Sequence, residues 1–194
     1  MNWIERLFVR AKHWQIFLLF VVIFVAAEFP IVGDFTSAVK SQEGAAEVLL
    51  LTEVLMAAAA WCFLLWLWSL GSFLNTVTPP ELRLRNKALL LSVLYSAFYV
   101  VVSIALFHSI NPMAFAVTIP LSLLAVFCVF FNLYFVAKSL VLAETGKPAT
   151  FGDYVGPLLL LWFCLIGVWF IQPRINRLYA ERGSDEPAKQ ASAI

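Results

Sequence analysis

"TFGDYVGPLLLLWFCLIGVWFIQPRINRLY" occupies Thr150–Tyr179. How this stretch is read decides how often the chain would cross a membrane. Its apolar centre, Val155–Ile171, has 17 residues. At the helical rise that is about 25 Å, slightly short of a hydrocarbon core of about 30 Å. Gly156, Pro157 and Gly167 permit bending within it. A run as apolar as "LLLLWFCLIGVWFI" nevertheless has much to gain from insertion into lipid. The block therefore either spans or is re-entrant along the inner face.

Working outward, the rest of the chain is equally apolar. Of 194 residues 62% are hydrophobic and 13% are charged, whereas a soluble domain is about half apolar and a quarter charged. The excess comes in blocks of the length expected for transmembrane helices. The fold class expected is all-α, a polytopic helical membrane protein. Four transmembrane helices are expected at about 14–35, 48–73, 88–107 and 113–137, with the short fifth helix at 155–171. Residues 1–183 form one helical membrane domain, and 184–194 form a polar, disordered tail. Val25-Ala26-Ala27 resembles a signal-peptidase site, but the apolar run continues to Val32, so the first block is read as a helix. Pro79-Pro80 breaks the chain between the second and third helices. Thr150 followed by Asp153 has the spacing of a capping box opening the fifth helix. "PRINRLYAERG" then reads as a short amphipathic helix from Pro173 to Gly183.

Lys and Arg set the threading. The N-terminal segment carries three (Arg6, Arg10, Lys12), the first connector one (Lys40), and the second connector three (Arg83, Arg85, Lys87). The link between the third and fourth helices carries none. The next loop has Lys138 and Lys147, and the last segment has Arg174, Arg177, Arg182 and Lys189. This puts the N-terminus in the cytoplasm. The bias is strongest if the fifth helix returns to the side it started from, and the reading leans that way.

Two carboxylates interrupt the apolar blocks. Glu28 lies about 10 Å before the outer end of the first helix and Glu53 about 8 Å past the start of the second, which places them at similar depth. Intramembrane carboxylates are costly and face protein or water, and two together share a proton or hold a cation. Glu28 and Glu53 are thus a candidate proton or cation site. The plainer alternative is a pair of helix-end carboxylates near the interface. Polar residues also fall on one face of each of the next two helices: Ser92, Ser96, Tyr99 and Ser103 on the third, and Thr118, Ser122, Ala125 and Asn132 on the fourth. Small and hydroxyl residues suit close helix packing, and packing is favoured over a polar pathway.

Cys62, Cys128 and Cys164 all fall in apolar blocks, so no disulfide framework is expected. No CxxC, HExxH, GxGxxG or P-loop pattern occurs, and no cofactor or metal site is expected. The basic segments are expected to meet anionic lipid head groups, and no nucleic-acid module is present.

Phe131–Leu140 ("FNLYFVAKSL"), Thr150–Tyr179 and His13–Phe20 ("HWQIFLLF") resemble a group of small, uncharacterised bacterial multi-pass membrane proteins. The resemblance lies mainly in 131–179. It implies a bacterial inner-membrane location and no particular chemistry. It also draws attention to Asp153, Tyr154, Trp169, Gln172, Pro173, Arg174 and Asn176 as docking or inner-face residues. The function expected is that of an accessory or interaction subunit, working with a membrane-protein partner or as a homo-oligomer. The alternative is a small proton- or cation-handling transporter or channel. With no nucleophile–base pair in view, an enzyme is not expected.

Overall fold

The computed structural model describes residues 3–38, 42–107 and 112–191. Among them there are helices and no strand. The helices are α1 (Trp3–Arg10), α2 (His13–Ala38), α3 (Gln42–Val77), α4 (Asn86–Phe107), α5 (Pro112–Thr145), α6 (Phe151–Trp162) and α7 (Cys164–Ala191). Among the described residues three stretches are long and apolar enough to cross a membrane: Val48–Val77, Asn86–Leu106 and Ala116–Thr145. Within α2, His13–Ile23 is a shorter apolar stretch. The expectation of four crossings goes one beyond these three.

α3 is the central element. It packs on α1, α2, α4, α5 and α7. The main core joins Phe20 of α2, Trp66, Leu70 and Leu74 of α3, Val136 and Leu140 of α5, and Leu161, Val168 and Ile171 of α6 and α7. Burial of such side chains contributes about 1.5–3 kcal/mol each in water. Between hydrocarbon-facing helices the gain comes from close packing instead.

Local chemistry fixes the connections. After Val77 the Pro79-Pro80 pair leaves only a single 3-10 turn, Pro80–Leu82. Asn75 then holds the extended residues that follow. Its amide donates to the Leu84 carbonyl (2.8 Å) and to Asn86 Oδ1 (2.9 Å), and its oxygen accepts from the Leu84 N–H (2.9 Å). α5 ends at Gly146, whose φ of 62° is left-handed and whose N–H closes on the Leu142 carbonyl at 3.0 Å. That backbone state favours glycine.

The block 155–171 is broken. α6 stops at Trp162, Phe163 takes φ −88° and ψ 61°, and α7 begins at Cys164. In one continuous helix Leu160 and Gly167 would lie about 10 Å apart along the axis. Here a Cβ added at Gly167 would sit 1.8 Å from the Leu160 carbonyl oxygen. The chain bends sharply, and only a glycine admits that carbonyl. It then comes back. α6 starts just after α5 ends, and its last residue, Trp162, stacks on Phe130 at 4.7 Å. By Arg174 the chain has returned to Glu144, two residues before Gly146. Further on, Tyr179 meets Phe73 and Arg182 reaches Thr76. α6 and α7 thus form a hairpin that enters the bundle and leaves at the same end, the end where α3 and α5 terminate and α4 begins.

α7 continues without interruption through Pro173 to Ala191. The separate amphipathic helix ending at Gly183 is therefore part of α7. Residues 184–191, expected to be a disordered tail, are helical.

Candidate functional site

The half of the bundle away from the Pro79-Pro80 turn carries two adjoining grooves. The first, of 510 Å³, lies between α3 and α4 and is lined by Thr52, Glu53, Met56, Ala57 and Ser103 among others. The second, of 370 Å³, is bounded by α3, α4, α5 and the hairpin tip at Trp162, with Ser96, Tyr99, Ser122 and Ala125 in its walls. Both share Ala60 and Val100. Trp162 at the hairpin tip lines the second groove, and among the described residues none of α6 or α7 lines the first. From Glu53 to Leu64 the combined groove follows twelve residues of α3, about 17 Å from the first to the last.

Glu53 is half-buried at the end of this groove away from Trp162. Glu28 sits on the backbone of α2, and its side chain lies outside the described residues, so the pairing expected between the two carboxylates falls outside them as well. Lys40 and the 108–111 link are also outside.

The hydroxyl stripes sort into two roles. Ser92 is buried and donates across to the Cys128 carbonyl of α5 at 2.9 Å. Tyr95, which the stripe pattern missed, donates to the Leu121 carbonyl at 3.1 Å. These two bonds cross from α4 to α5. Ser96, Ser103 and Ser122 instead donate to the Ser92, Val100 and Ile119 carbonyls of their own helices, a self-contained arrangement that lets hydroxyls line an apolar wall. Thr118 is half-buried on α5, and Tyr99 is half-buried with its ring in the second groove. Asn132 differs from all of these. It is fully buried, and neither its amide nitrogen nor its oxygen has a hydrogen-bond partner. Ser139, two turns along the same face of α5, is likewise fully buried and unpartnered. Buried orphans of this kind are rare and costly.

At the opposite end most of the residues singled out around the hairpin are engaged with other parts of the chain. Asp153 caps α6: one carboxylate oxygen accepts from the Thr150 N–H and hydroxyl, both at 2.7 Å, completing the capping box expected there. The Thr150 hydroxyl, followed by its N–H, holds the Asp153 carboxyl below the usual carboxylate range. Tyr154 sets its ring edge-on to Tyr134 at 5.4 Å. Trp169 lies against His13 and Phe17. Arg174 is committed to Glu144 of α5 through both Nε and Nη2, and Arg177 adds a longer contact at 3.8 Å.

Gln172, expected on a docking face, requires a correction: it is fully buried. Its amide donates to the carbonyls of Phe8 (2.9 Å) and Ala11 (3.0 Å), and its oxygen faces Trp66 Nε1 at 3.5 Å. A helix leaves its last carbonyls unpaired, and Gln172 supplies donors where α1 ends. Asn176 assists with a longer contact to the Ala11 carbonyl at 3.4 Å. These side chains join α1, α3 and α7, so they are occupied in holding the fold.

The three thiols are free and half-buried, and no group of three or more His, Cys, Asp or Glu residues suited to a metal occurs among the described residues. Comparison of the chain with family models, with curated proteins and with solved structures returns no match.

Proposed function

We propose that this chain is a small multi-pass helical membrane protein that acts as an accessory or interaction subunit rather than an enzyme. α2 to α5 are its four crossings, and the α6–α7 hairpin is re-entrant. The observation that carries the interaction role is the open groove beyond the hairpin tip. Between larger apolar side chains its walls include Ala57, Ala60, Ser96, Ser103, Ser122 and Ala125, small and hydroxyl residues of the kind that allow another membrane helix to approach closely. A transmembrane helix of a partner protein is the occupant that this lining fits.

Threading follows from charge. With a hairpin that returns, every Lys and Arg except Lys40 belongs to segments on one side, which favours a cytoplasmic N-terminus and a cytoplasmic C-terminus. A depth of about 17 Å for α6 is roughly half a hydrocarbon core. The likeness of residues 131–179 to small bacterial multi-pass proteins favours a bacterial inner membrane. The basic segments at the cytoplasmic side would meet anionic head groups.

The test is gentle affinity purification from native membranes, followed by mass determination of the intact complex. The expected result is a stoichiometric membrane-protein companion that is lost when Ala60→Phe fills the groove. A monomer or homo-oligomer with no companion counts against the role. A second reading is favoured by one observation, the position of Glu53 in a groove with Thr52 and Ser103: a proton- or cation-handling protein using Glu28 and Glu53. It requires that Glu28→Gln and Glu53→Gln abolish flux in reconstituted vesicles.

A further inference from the structure

A third cavity, of 500 Å³, lies at the opposite end of the bundle, where α3 gives way to the Pro79-Pro80 turn and α7 passes with Leu178, Glu181 and Arg182. Two guanidiniums line it. Arg83 donates from Nε to the Thr78 carbonyl (3.0 Å) and from Nη2 to the Thr76 carbonyl (3.2 Å). Arg182 donates from Nη1 to the Thr76 hydroxyl (2.8 Å). Both cations therefore converge on a single threonine.

Arg83 is partly explained by the helix it serves, since a cation suits the last carbonyls of α3. That leaves its Nη1, together with Nε and Nη2 of Arg182, without an acceptor among the described residues. Glu181 is the one carboxylate in the lining, and it also faces Arg177 at 3.7 Å. Two guanidiniums that meet on one threonine repel one another, and an anion between them relieves that repulsion. Forked N–H donors match the oxygens of a phosphate. The remaining wall, with Pro79, Pro80 and Leu178, is apolar. The cavity sits where the apolar stretches Val48–Val77 and Ala116–Thr145 both end. If those stretches cross a bilayer, that is head-group depth, where lipid phosphates are the abundant anions.

We propose that the Arg83–Arg182 cavity is a phosphate-binding site whose ligand is the phosphodiester of an anionic lipid head group. The lipid assignment rests on the membrane reading above; a soluble phosphate offers the same chemistry. The site is stoichiometric and local, which sets it apart from a diffuse attraction of basic loops to the bilayer.

The experiment uses the full chain in mild detergent. Native mass spectrometry counts retained lipid after addition of phosphatidylglycerol or phosphatidylcholine. Thermal unfolding is followed in parallel with inorganic phosphate against chloride at equal ionic strength. Wild type is compared with Arg182→Gln, which removes an exposed side chain making one hydrogen bond, with Arg83→Lys, which keeps a cation at the end of α3, and with Lys87→Gln, which alters an exposed charge outside the cavity. The expected result is one phosphatidylglycerol per chain, retained about tenfold better than phosphatidylcholine. Arg182→Gln and Arg83→Lys should lose that preference, and Lys87→Gln should keep it. A phosphate-dependent rise in unfolding temperature that needs Arg182, with no lipid retained, identifies the soluble anion and upholds the site. Equal losses in Arg182→Gln and Lys87→Gln, or no response to either probe, overturn it. Absence of the wild-type chain from the membrane fraction would instead sink the membrane reading, and loss of a protein companion by wild type would sink the interaction role. Neither of those outcomes depends on Arg182.

Discussion

Asn132 and Gln172 are both fully buried amides, yet they bear on stability in opposite ways. Asn132 has neither of its polar atoms paired. Replacing it with leucine, of similar size, removes a desolvation penalty and is expected to raise stability by about 1–3 kcal/mol. Thermal unfolding in detergent reads the change. A comparable loss would mean that the amide holds a bound water or another polar partner. Gln172 has its donors placed on two carbonyls at the end of α1. Gln172→Ala should lower stability by roughly 1–3 kcal/mol, and it should increase hydrogen exchange in residues 3–12 more than elsewhere. Uniform exchange would remove the capping role. The sequence made Asn132 conspicuous, because an amide on an otherwise apolar helix stands out. It could not reveal the burial of Gln172. That burial depends on carbonyls about 160 residues away, and beside Pro173 the residue reads as a polar flank.

At the scale of the element, α6 has a pH signature. Asp153 has a lowered pKa in the folded chain because it accepts from Thr150. Its contribution to the start of α6 is therefore fully present above the ordinary carboxylate pKa, and it is lost as pH falls through the lowered value. Amide exchange at residues 151–155 should accelerate across that acid window in wild type and be already fast, without pH dependence of this origin, in Asp153→Asn. A wild-type profile matching that of the variant would argue against the cap. The bend at Phe163 depends on Gly167. Gly167→Ala places a methyl group against the Leu160 carbonyl and should cost about 2 kcal/mol or more, with the loss confined to the α6–α7 hairpin in a proteolysis assay. Local spacing made the capping box legible, and Gly156, Pro157 and Gly167 flagged a bendable block. The exact break was not legible. It is set by where Trp162 stacks on Phe130 and where Arg174 finds Glu144, both contacts between separate helices. The continuation of α7 beyond Gly183 was not legible, because a polar composition suits an exposed helix and a disordered tail equally well.

For the molecule as a whole, the helical class and the apolar blocks were legible because a segment long and apolar enough to cross a bilayer has to satisfy its backbone internally, as a helix does, with apolar side chains outward. Exposed Leu49, Leu50, Val54, Leu91, Phe98, Leu123 and Phe127 express that pattern. The grooves could not be read from the sequence, since their walls come from separate helices. Of the candidate proton or cation pair, only Glu53 is placed by the described side chains. In the proposed topology the chain goes in at Phe151 and returns by Arg174, and this re-entry decides the rest of the threading. It is tested by single-cysteine labelling with a membrane-impermeant maleimide in sealed inverted and right-side-out vesicles, using Ala149→Cys and Ala180→Cys in a background free of Cys62, Cys128 and Cys164. Both positions should react from the same, cytoplasmic side. Reaction from opposite sides would make the fifth block a true crossing and contradict the hairpin.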